Sequence, residues 1–74
     1  MQNDLINRIK QGVQLLEERQ GYNQADILKK LKTLNLEISA ASLSNIINNK
    51  TVGIKTLQKG AEGIVAIISS ELSM

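Results

Sequence analysis

The chain has 74 residues, of which 42% are hydrophobic, and a formal charge of +2. That is enough for one small domain with a thin stability margin. Cysteine and histidine are both missing, which excludes disulfides, thiolate metal sites and the commonest general base; zinc would have to be held by carboxylates alone.

Tyr22 is the only aromatic residue, which argues against single-strand nucleic-acid binding through stacked bases. The longest apolar run, residues 64–68, is far short of the roughly 20 residues a membrane span needs. Asp4 and the lack of an early basic run argue against a signal peptide. The expectation is a soluble cytoplasmic protein with no cofactor, no metal and no enzymatic role.

In chain order, residues 3–19 read as a helix. Leu5, Ile9, Val13 and Leu16 recur at three- and four-residue steps, Ile6 and Leu15 widen the stripe, and Asn3 or Asp4 can cap it. Gly12 lies inside this helix and costs about 1 kcal/mol relative to alanine, so either another segment passes close to it or the helix is locally weak. Gly21 ends the helix in the turn Gln20-Gly21-Tyr22.

Asn23 starts the second helix, with Asp26 at capping-box spacing. Ile27, Leu28, Leu31 and Leu34 form its inward stripe, Lys29, Lys30 and Lys32 point elsewhere, and Asn35 is a stop. Residues 34–37 connect onward.

Residues 38–50, ISAASLSNIINNK, carry the most information. An apolar stripe, Ala41/Leu43/Ile46/Ile47, lies opposite a small polar stripe, Ser39/Ser42/Asn45/Asn48, and no charge occurs between Glu37 and Lys50. Ser39 suits an N-cap, while Asn48 and Asn49 tolerate the positive φ that stops a helix. Between Ile38 and Ala61 the only charges are Lys50, Lys55 and Lys59, a local positive excess suited to a polyanion.

Thr51 and Val52 make a loop in which Val52 can tuck back as an anchor, and Gly53 tolerates a helix start. A further helix covers residues 54–62 with Ile54, Leu57 and Ala61 inward. It either continues to about Leu72, or breaks at Gly63 into a separate segment whose Ile64, Ile67, Ile68 and Leu72 share a face. That aliphatic surface suits either the core or a second copy of the chain. Nothing alternates like a strand, so the fold class is all-α: a compact bundle of four or five short helices containing a helix-turn-helix, one domain over residues 1–74 with 64–74 as its C-terminal helix.

The order and spacing of these anchors resembles the Cro/Xre family of lambda-repressor-like domains over about residues 13–64. The carrying residues are Val13 and Leu16; Tyr22-Asn23-Gln24; Ile27, Leu28 and Leu31; Ile38-Ser39; Leu43 and Ile46; Asn48-Asn49-Lys50; and Ile54, Leu57 and Ala61. The resemblance implies a DNA-binding transcriptional regulator, a repressor of phage or mobile-element type, acting as a homodimer on double-stranded DNA. Gln24 would contact a phosphate at a helix N-terminus. Ser39, Ala40, Ala41, Ser42 and Asn45 of the recognition helix, residues 39–48, would face the major groove, with Asn45 suited to adenine and Ala40 to a thymine methyl. Asn48, Lys50 and Lys55 would hold the backbone, and Ile64, Ile67, Ile68 and Leu72 would form the dimer seam.

Three features depart from the family pattern. The connection at 32–37 is several residues longer than usual, which implies an extra helical turn or an altered angle between the helices. Leu28 replaces a small alanine, implying wider helix spacing. No arginine lies on the recognition face, which implies A·T-leaning contacts or reliance on DNA shape. Two alternatives share the fold: the antitoxin of a toxin–antitoxin pair, whose C-terminal segment binds a protein partner, and a protein–protein adaptor that does not bind DNA.

Overall fold

The computed structural model describes residues 2–72. Four α-helices account for most of them: α1 (Gln2–Gln20), α2 (Gln24–Thr33), α3 (Ala40–Ile47) and α4 (Ile54–Leu72), with no strand among the described residues. The helical periodicity is the cause. Ile9, Val13 and Leu16 of α1, Ile27 and Leu31 of α2, Leu43 and Ile46 of α3, and Leu57, Ala61, Ile64 and Ile67 of α4 meet in one core, joined by Ile38 from the connection before α3. Leu5, Ile6, Leu28, Ile47, Val52 and Ile68 pack half-buried around it. Among the described residues, no buried polar or charged side chain interrupts it.

α1 and α4 form the spine and run in the same direction. Ile9 lies beside Gly60, Gly12 beside Ile64 and Ile68, and the Gln20 amide donates to the Glu71 carbonyl at 3.3 Å, so residue numbers rise together along both helices. Gly12 therefore marks a close approach. A methyl group there would overlap Ile64 Cγ2, and one at Gly63 would overlap Leu31 Cδ2.

Local signals set the helix ends. At Gly21, φ of 68° turns the chain out of α1. α2 and α3 end alike, each on an asparagine in the left-handed region (Asn35 and Asn49, both φ 60°). After α2, the Leu36 N–H donates to the Leu31 carbonyl and the Asn35 N–H to Lys32; after α3, Lys50 donates to Asn45 and Asn49 to Ile46. Both are Schellman motifs with asparagine in the usual glycine position.

Several sequence expectations need correction. Asn3 and Asp4 do not cap α1, because the helix starts before them. Leu34 is 41% exposed rather than inward, because it is the C-cap of α2 and its place in the helical stripe ends with the helix. Ile54 is 40% exposed, since it begins α4 beyond the edge of the core, and Ala41 is exposed on α3 rather than part of its apolar stripe. Of the two readings of the last segment, the continuous helix is the one found, with Gly60 and Gly63 both inside α4. Both are buried against neighbouring side chains, so residues 64–72 are the second half of one helix and not a fifth. Residues 73 and 74 of the expected C-terminal helix lie outside the described residues. The long connection after α2 does not lengthen that helix, which stops at Thr33. The dimer seam loses two members: Ile64 and Ile67 are 1% and 2% exposed and belong to the core of the single chain.

Candidate nucleic-acid interface

α2 and α3 contact each other, and each also packs on α4. The first turn of α2 is built by a reciprocal capping box. The Asp26 N–H donates to Asn23 Oδ1 at 2.9 Å, and the Asn23 N–H donates to Asp26 Oδ2 at 3.1 Å. Gln24 follows as the first helical residue, with its side chain exposed.

α3 is capped by Ser39, whose Oγ accepts the Ser42 N–H at 3.0 Å. The Ser39 hydroxyl donates in turn to Ser42 Oγ at 2.8 Å. Leu43 and Ile46 are buried, which turns the opposite edge outward. Ser39, Ala40, Ala41 and Asn48 are exposed there, and Ser42 and Asn45 are half-exposed. None of the nine residues expected to meet DNA is buried, and Gln24, Lys50 and Lys55 are exposed. The edge is uneven in its free hydrogen-bonding capacity. The Asn48 amide folds back to donate to the Ser44 carbonyl at 2.9 Å and to Ser44 Oγ at 3.3 Å. The Asn45 side chain makes no hydrogen bond among the described residues, so its donor and acceptor both remain available.

One residue near the edge is not apparent from sequence. Lys10 of α1 extends its ammonium to Asn49 Oδ1 at 2.9 Å, beside the turn that ends α3. It also lines a groove of about 380 Å³ with Val13, Gln14, Glu17, Gln24 and Ile47, which joins α1 to the start of α2 and the end of α3. In sequence, Lys10 and Asn49 are 39 positions apart, and a lysine on the polar face of a helix gives no signal of such a neighbour.

A second polar cluster has a structural role. Lys30 of α2 pairs with Glu71 of α4 at 3.0 Å, the one ion pair among the described residues, and its ammonium lies 5.9 Å from the Tyr22 ring centre. The Lys30 hydrogen bond holds the Glu71 carboxyl below its ordinary value, and Glu71 in turn raises both Lys30 and the Tyr22 hydroxyl. This cluster ties the α1–α2 turn and α2 to the end of α4.

The described residues hold no cluster of three or more carboxylates, histidines or cysteines able to bind a metal, and no helix long and apolar enough to cross a membrane. Comparison with known proteins finds no matching family, no similar characterised protein and no similar solved structure.

Proposed function

We propose that this chain binds double-stranded DNA as a transcriptional regulator, placing α3 in the major groove. The supporting observation is the outer edge of α3. Its small side chains allow close approach, it carries no charge between Glu37 and Lys50, and the contacts that bury Leu43 and Ile46 leave it uncovered. Gln24 and the N-terminus of α2 would meet a phosphate. Ser39, Ala40, Ala41, Ser42 and Asn45 would line the groove, with Asn45 pairing with adenine through its free amide and the alanines touching thymine methyls. The action would be occupancy: two copies in successive major grooves, about one helical turn apart, exclude other proteins from the site. In such a homodimer Ile68 and Leu72 remain half-accessible for the seam.

The test is binding to a random duplex pool across a salt series. If each subunit neutralises about three or four phosphates, log affinity falls against log salt with a slope of roughly −5 to −7 for the dimer. Gln24→Ala weakens binding to all sequences, and Asn45→Ala flattens sequence preference. Salt-independent binding, or none, removes the DNA reading and favours an adaptor that uses the same face for a protein.

A further inference from the structure

We infer that Lys10, a residue of α1 outside the helix-turn-helix, forms part of the DNA-backbone contact at the C-terminal end of α3; this rests on the DNA-binding reading above. The fold brings it there. Lys10 donates to Asn49 Oδ1 at 2.9 Å, and Asn49 is followed by Lys50, whose N–H closes the turn by bonding to the Asn45 carbonyl. Lys10 thus reaches, from a distant part of the chain, the same helix-ending turn in which Lys50 lies, and Lys55 follows at the start of α4.

The Lys10 ammonium is not neutralised. Its partner is a neutral amide oxygen, and the single ion pair among the described residues is Lys30–Glu71. Glu17 lines the same groove, two helical turns further along α1, without pairing with it. Part of the arrangement is structural, because a cation is favoured at the negative end of a helix dipole. The same charge, on a half-exposed side chain held at Asn49, is also placed for a phosphate flanking the groove that α3 would enter.

Two substitutions separate the structural bond from the charge. Lys10→Gln removes the charge and keeps an amide donor for Asn49. Asn49→Gly removes the acceptor, suits the positive φ at that position and keeps the charge. Thermal unfolding establishes that both variants are folded; if Lys10→Gln is not, Lys10→Met is the alternative neutral variant. The readout is the salt dependence of affinity for a random-sequence duplex. Lys10→Gln is expected to reduce the log–log slope by about 0.9 for each bound subunit and to weaken cognate and unrelated duplexes equally. Asn49→Gly and the control Lys29→Gln are expected to keep the wild-type slope. An unchanged slope in Lys10→Gln, or an equal loss in Asn49→Gly, overturns the inference; if Lys50→Gln still lowers the slope, the DNA reading survives without it. Absence of salt-dependent binding by the wild-type chain removes both.

Discussion

α4 buries Leu57, Gly60, Ala61, Gly63, Ile64 and Ile67 along nineteen residues, whereas α3 buries only Leu43 and Ile46 along eight. The long helix lies along α1 over much of its length, closely enough that Gly12 sits directly against Ile64. The short helix is held by two buried side chains, a serine cap and an asparagine stop. Folding stability is therefore concentrated in the α1–α4 spine and in the core side chains that pack on it. The candidate site depends on local hydrogen bonds that determine where a small helix starts and ends. An isolated helix of eight residues is not stable in water, so α3 exists because Leu43 and Ile46 reach that core.

The largest test of this division is Leu31→Ala. Leu31 is fully buried and touches the α4 backbone at Gly63, so its loss is expected to cost about 3 kcal/mol, read as a lower urea midpoint. A cost under about 1 kcal/mol would show that the core collapses around the gap and that packing is looser than described. Next comes Gly12→Ala. Overlap with Ile64 Cγ2 is expected to cost about 1–3 kcal/mol, partly offset by about 1 kcal/mol of helix propensity. Gly60→Ala is the comparison, since a methyl there comes no closer than 3.3 Å to the tip of Ile9 and 3.7 Å to the tip of Ile38. It is expected to be clearly milder, and equal effects would refute the close approach at Gly12.

Ser39→Ala tests the other region. Losing the cap is expected to cost about 1 kcal/mol by chemical denaturation and to weaken DNA binding more than that loss of stability alone explains.

Smaller still is the pH effect of the Lys30–Glu71 pair. The Glu71 carboxyl is held below its ordinary value, so its contribution is present above the unfolded-state value and is lost as pH falls through the folded-state one. Lys30 is raised, so its contribution is lost only in strong base, as pH rises past the ordinary lysine value. Glu71→Gln is expected to flatten the acid side of a stability–pH curve slightly; an unchanged acid slope would show that the pair adds nothing. Asn45→Ala completes the series with no measurable change in unfolding, because its side chain makes no hydrogen bond within the described residues, while duplex sequence preference flattens. A large fall in stability would show Asn45 to be part of the fold and not of a binding surface.

Sequence alone determined what depends on near neighbours. The inward stripe of α1, the Asn23–Asp26 capping box, the Ser39 cap and the stops at Gly21, Asn35 and Asn49 all follow from side-chain type and spacing within a few residues. So does the uncharged outer edge of α3, because Leu43 and Ile46 fix which way the helix turns. Tertiary structure decided the rest, since those outcomes depend on what packs across the bundle. Gly63 reads equally as a break or as an interior position of one long helix until Leu31 is found to occupy the space a side chain would need. Ile64 and Ile67 read equally well as a seam or as core until α1 is found to run alongside them. Leu34 and Ile54 fit an apolar stripe by spacing and yet lie exposed, because each sits at a helix terminus where the core has ended. Lys10 gained its place beside Asn49 only when the first helix packed against the third, a contact between residues too far apart in the chain for any local pattern to register.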